Sequence, residues 1–349
     1  MLRRIVTLTV VLGAVAPAAA QAAPFTDRVT RPASSSTPTA RAAQAGSSTS
    51  VPIAGGGAIA VEFTALVGHQ PALAQSYVAF LDSLPHGSEL GNLRVKVADP
   101  REMARLCGGR EDDGILACYG AGRQEMIVPS SGLDAQTQDG GYTVRYVLTH
   151  EYGHHIAANR RNDEFDGGAL DYGPKRWASY EMVCNEALQR RLFPGDEADR
   201  YRSNPGEGWA EAYARLTFPE QPWVFSPLLV PDAGALEAAR LDVVEPWTRN
   251  KTATFTMAPG RSVQSFQLPL TLDGSLKATI TGPRGSEVGI RVRSGDQTVK
   301  SESKARKGAR DVWRIGAGCR EEPTEVLTFT AVRRGGADGP VTLRVSYPG

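Results

Sequence analysis

Thr143-Val-Arg-Tyr-Val-Leu-Thr-His-Glu-Tyr-Gly-His-His-Ile-Ala-Ala158 is the stretch whose reading decides the fold and the chemistry. Val144, Val147, Leu148 and Ile156 recur at helical spacing, so the segment is expected to be a helix with one apolar stripe. Residues four apart share a helix face, so His150 and His154 present two imidazoles to one metal ion. Glu151 sits on the neighbouring edge of that face, placed to take a proton from water rather than to bind the ion. With 5 histidines in 349 residues, chance supplies His-Glu-x-x-His only about 0.004 times in such a chain, so coincidence is a poor explanation. His155 reads as a packing or supporting residue beside the motif.

A catalytic zinc takes three protein ligands and keeps a fourth position open, so a third donor is required. The residues three and six beyond His154 are Ala157 and Arg160, which excludes the extended Gly/His version of the motif. Asp163, Asp166 and Asp171 are acidic neighbours in a Gly-rich loop, a pattern that water alone satisfies. Glu207 and Glu211, four apart in Asn204-Pro-Gly-Glu-Gly-Trp-Ala-Glu-Ala-Tyr213, offer one carboxylate to the metal and one to hold a ligand histidine from outside. Glu207 is the favoured ligand, with Glu211, Glu181 and Glu186 as alternatives. Asn204, Pro205 and Glu207 also spell a helix-capping box, which would employ Glu207 differently.

Outward from this centre, the chain alternates structure signals. Residues 71–84 read as a helix, Leu93, Val95 and Val97 as a strand, 100–106 as a short helix, and 115–119 and 124–128 as neighbouring strands. The last of these reads equally as an internal strand or as an edge that pairs with an extended peptide. Helices follow from Pro174 to about Leu192, from Asn204, and from Asp232 to Val244. This is the order of an α+β domain. Beyond about Asn250 short alternating runs separated by turns, such as Pro259-Gly260 and Asp273-Gly274, predict seven or eight strands in an all-β sandwich.

The opening residues read as an export signal: Arg3 and Arg4, an apolar run from Ile5 to Val15, then small residues around Ala20 and Ala22. That run is about half the roughly 20 residues a membrane span needs. The expected organisation is a signal peptide over 1–22, a Ser/Thr/Pro/Ala-rich disordered linker or pro-segment over 23–57, a metallopeptidase domain over 58–249 and a β-sandwich over 250–349. Basic and acidic residues balance, 39 against 38, which removes nucleic acid and anionic membranes as default partners. Four cysteines in an exported chain permit disulfides, and Cys107 with Cys118, across a Gly-rich turn, is the first expected pair.

His150-Glu-Tyr-Gly-His154 with Glu207-Gly-Trp-Ala-Glu211-Ala-Tyr213 resembles the gluzincins, in detail the group that includes the anthrax lethal factor protease domain. The resemblance spans about residues 93 to 216. It implies a zincin-like fold, one Zn2+ held by His150, His154 and Glu207, Glu211 in support, Glu151 as general base, and a protein or peptide substrate. Members of such families place a donor for the oxyanion, for which Tyr201 is the candidate here. The C-terminal part resembles pre-peptidase C-terminal domains through Phe255-Thr-Met-Ala-Pro-Gly260 and Val341-Thr-Leu-Arg-Val-Ser346. It has Gly274-Ser-Leu-Lys-Ala-Thr where many of these carry an Asp-rich strand, so calcium is not expected. The expected function is a secreted zinc endopeptidase; the rival is a secreted binding or adhesion protein with a structural or inactive zinc site.

Overall fold

A computed structural model describes residues 29–30, 46–110, 113–137, 141–162, 168–300, 309–316 and 318–349. The expected signal peptide and most of the expected linker lie outside these residues, as do Asp163 and Asp166.

The first part of the chain builds a mixed sheet with helices on it. Its elements are β1 (Val29–Thr30), β2 (Ser47–Pro52), β3 (Ala58–Phe63), α1 (Pro71–Ser83), β4 (Arg94–Ala98), α2 (Met103–Leu106), β5 (Cys118–Gly120), β6 (Glu125–Pro129) and α3 (Val144–Ala158). The sheet order is β1-β5-β6-β4-β3-β2. β3, β4 and β6 run parallel, β2 pairs antiparallel with β3, and β5 pairs antiparallel with β6 but parallel with β1. Alternation in β4 separates two faces: Val95 and Val97 are buried in the core, whereas Lys96 bridges Glu62 at 3.3 Å and Glu125 at 3.4 Å across the adjacent strands. α1 opens with Pro71 in its first turn and buries Ala74, Tyr77, Val78 and Leu81, the spacing of one helical face.

Two expectations change here, for residues 47–52 and 115–117, and one open alternative, for 124–128, is settled. Residues 47–52, assigned by composition to a disordered linker or pro-segment, form β2 and pair with β3 in full register from Ser47↔Phe63 to Pro52↔Ala58, which rules out disorder for this stretch. An edge strand draws its stability from ladder hydrogen bonds, and of this one only Val51 is buried, so a test based on bulky side chains overlooks it. The segment 124–128 is internal: β6 is paired on one side with β4 and on the other with β5. The strand lying outside it is the three-residue β5. Residues 115–117, expected to extend that strand, are instead buried beside the Cys107–Cys118 disulfide, which has a Cα–Cα distance of 5.9 Å.

Helices α4 (Gly168–Tyr172), α5 (Lys175–Tyr180), α6 (Val183–Leu188), α7 (Pro205–Arg215) and α8 (Ala233–Val244) complete this part. The single helix expected over 174–192 is broken into α5 and α6 by Met182, whose φ of 54° lies in the left-handed region. Past that break Cys184 pairs with Cys319, a tie that local helix propensity does not encode.

Eight strands follow among the described residues: β7 (Lys251–Met257), β8 (Val263–Leu270), β9 (Leu276–Thr281), β10 (Glu287–Ser294), β11 (Gln297–Lys300), β12 (Arg310–Ile315), β13 (Glu325–Gly335) and β14 (Val341–Tyr347). They form two four-stranded antiparallel sheets, β11-β10-β13-β8 and β12-β9-β14-β7. Met257, Leu268, Ile280, Ile290, Phe329 and Leu343 from both sheets share one core, the arrangement of a β-sandwich. The whole is α+β. No helix among the described residues is long and apolar enough to cross a membrane.

Candidate metal centre

Two helices make the site. α3 is capped by Thr143, whose hydroxyl accepts from the Tyr146 amide at 3.3 Å. It is buried on every side, so its polar residues have to find partners within the protein. His150 and His154 stand one turn apart with ring centroids 5.1 Å from each other. α7 starts at Asn204, whose side chain accepts from the Gly206 and Gly195 amides, both at 3.0 Å, and Pro205 sets the first turn. The Glu207 side chain is not used for capping. Its Oε2 lies 3.3 Å from Nε2 of His150 and 3.3 Å from Nε2 of His154, and all three residues are 0% exposed.

These distances fit a metal ion. Metal–ligand bonds of about 2.0–2.1 Å at tetrahedral angles place neighbouring donor atoms roughly 3.3 Å apart. The hydrogen bonding demands a cation as well. Glu211 Oε2 lies 3.3 Å from Nδ1 of His150 and accepts a hydrogen bond from the proton on that nitrogen, so in the neutral ring Nε2 carries the lone pair. That lone pair then faces the Glu207 carboxylate, acceptor against acceptor, until a proton or a metal ion stands between them. The second oxygen of Glu207, Oε1, is buried and makes no hydrogen bond, an uncompensated cost that a divalent ion removes. Among the described residues, His150, His154 and Glu207 are the one set of three or more His, Cys, Asp or Glu donors close enough to share an ion.

Around this set lies a shell that sequence reasoning only partly anticipated. The Tyr146 hydroxyl donates a short hydrogen bond to Glu211 Oε2, and burial, reinforced by the Glu211 charge, holds that phenol protonated far above its ordinary range. Tyr142 stacks on Tyr146 at 5.2 Å. Phe225, from the loop between α7 and α8, stacks on the His150 ring at 6.0 Å. Tyr146 lies one turn before His150, a spacing that could have identified it. Phe225 carries no local signal.

The other expected residues fall as follows. Glu151, next to His150 on α3, is fully buried. Tyr201 packs its ring on Phe225 at 5.6 Å, one ring removed from His150. His155 points to the opposite side: Nε2–H donates to the Glu89 carbonyl at 2.9 Å, so Nδ1 is the acceptor for the Tyr119 hydroxyl at 3.1 Å. Burial pulls its pKa down to about 4, so it is neutral and committed to this network. Burial pushes the Glu89 carboxyl up, but the Arg160 guanidinium 2.9 Å away and backbone hydrogen bonds to the carboxylate together more than offset it and hold it below the usual carboxylate value. Asp171, Glu181 and Glu186 stand outside the ligand set.

No protein-family model matches this chain, and no curated relative matches it. A solved structure similar to part of it is the pre-peptidase C-terminal domain of a collagenase from Bacillus anthracis. It is 10% identical, covers 28% of this chain and 89% of its own, and superposes with a TM-score of 0.21.

Proposed function

We propose that this chain is an exported zinc-dependent endopeptidase of zincin-like fold, in which His150, His154 and Glu207 hold the metal and Glu151 is the general base. The observation that carries the reading is the Glu207 carboxylate set 3.3 Å from two imidazole nitrogens with Glu151 on the same helix. Zinc, when bound, supplies a Lewis acid that polarises a carbonyl and acidifies water. The carboxylate of Glu151 accepts a proton from the attacking water as the new C–O bond forms. It returns that proton to the amide nitrogen as the C–N bond breaks, giving a carboxylic acid and an amine. Tyr201 is the donor we assign to the carbonyl oxygen as it gains charge.

A structural zinc would want a fourth protein ligand. His155, the obvious supplier, has both nitrogens engaged with Glu89 and Tyr119, which favours an open position. Two disulfides are compatible with an oxidising, extracellular setting.

The test is hydrolysis of an unstructured protein such as casein by the zinc-loaded chain beside Glu151→Gln, with metal content measured for both. Equal zinc with cleavage only by the unmodified chain supports the assignment. A chain that binds one zinc but cleaves as slowly as Glu151→Gln sinks it.

A further inference from the structure

Gly153 lies between the two ligand histidines in the middle of α3, where glycine weakens a helix relative to alanine. Its φ is not positive, so no backbone requirement explains it. What explains it is α7. A Cβ on Gly153 would stand 2.8 Å from the Cα of Ala210 and 3.2 Å from both its Cβ and its carbonyl oxygen. Backbone atoms in a packed helix cannot step aside as the end of a side chain does. The same contact is tied from the other helix, where the Trp209 indole N–H donates to the Gly153 carbonyl at 3.0 Å.

We infer that Gly153 and Ala210, clamped by Trp209, are the positioning contact that sets the metal ligands' spacing. The inference rests on the metal centre proposed above. Ala210 directly precedes Glu211 and follows Glu207 by three residues, so this contact lies between the two carboxylates of α7. It likewise lies between the two imidazoles of α3. A methyl group at residue 153 has to push α7 outward, and displacement by even ~1 Å exceeds the roughly 0.2 Å within which zinc–ligand distances are held. Glu207 is thereby withdrawn from both histidines together. Gly208 supplies the contrast on the same helix: a Cβ there meets the terminal Cδ1 of Leu229 at 2.6 Å, an atom that a rotamer change moves away.

The experiment measures zinc affinity by chelator competition on the folded, metal-free full chain, together with the melting temperature of each metal-free variant. Gly153→Ala is expected to lose at least tenfold in zinc affinity while Gly208→Ala stays within about twofold. Trp209→Phe, which keeps an aromatic ring and removes the donor, is expected to lose several-fold, and it decides the matter if Gly153→Ala does not fold. Gly153→Ala that folds and binds zinc as tightly as the unmodified chain overturns the inference. So does undiminished affinity in Trp209→Phe when Gly153→Ala cannot be obtained. An unmodified chain that binds no zinc instead overturns the metal centre itself, a result distinguishable from both.

Discussion

In the proposed metal centre Glu211 is a support and not a ligand: it lies 3.3 Å from Nδ1 of His150, so it fixes which nitrogen carries the proton, and it is itself held by Tyr146. Removing such a carboxylate typically costs 10- to 100-fold in metal affinity. Glu211→Ala is therefore expected to weaken zinc binding by about that factor, read by chelator competition, and Tyr146→Phe to weaken it less. A Glu211→Ala protein that holds zinc unchanged would contradict the tautomer assigned to His150. That His150, His154, Glu207 and Glu211 would share one place was legible in the sequence, because a four-residue spacing on a helix is itself a geometric statement. Phe225 was not, since it arrives on a loop whose path no periodicity records. Glu207 read as either cap or ligand; in the fold its side chain turns inward to His150 and His154, and Asn204 caps α7.

Among the elements, α5 owes its start to a residue far away in sequence. The carboxylate of Asp242 on α8 accepts from the Arg176 amide at 3.1 Å and the Trp177 amide at 2.8 Å. Burial nevertheless raises its pKa to about 7, against roughly 3.9 in an unfolded chain. The folded state thus holds this proton more tightly, so the stabilisation is complete below about pH 4 and is lost as pH rises through about 7. In chelator-treated protein, the melting temperature of Asp242→Asn is expected to fall less between these limits than that of the unmodified chain. Parallel slopes would refute that pKa. Elements with strong periodicity, such as α1 and α8, were readable to within a residue or so, and the start of α7 was readable from its cap. Those fixed by distant partners were not: β2 depends on β3 for its ladder, and the break at Met182 stands next to a tie with the sandwich.

Over the whole molecule, the two cores are joined by a buried polar clamp. Asp273 donates its amide to the Ser179 hydroxyl on α5 at 2.9 Å and accepts from the Arg320 amide at 2.9 Å. The Arg320 guanidinium reaches Asp273 at 3.3 Å and also donates to the Ser179 carbonyl. Both charged residues are almost wholly buried. Removing one member of a buried pair strands the other, so Arg320→Ala is expected to cost about 3–5 kcal/mol in denaturant unfolding. Ser179→Ala, which removes one neutral hydrogen bond, should cost nearer 1 kcal/mol. Equal, small losses would show the clamp to be incidental. Through α5 the clamp extends inward, since Trp177 packs edge-on against Trp209 at 5.9 Å. The sandwich was foreseeable from alternation and turns, but its docking on α5 was not, because the contacts unite residues without any sequence proximity. The second disulfide has a further consequence. Cys184 and Cys319 are 135 residues apart, so the backbone between them is a closed ring. A single cut anywhere in that span linearises the ring and releases no fragment until the bond is reduced, so a nicked molecule keeps both its halves.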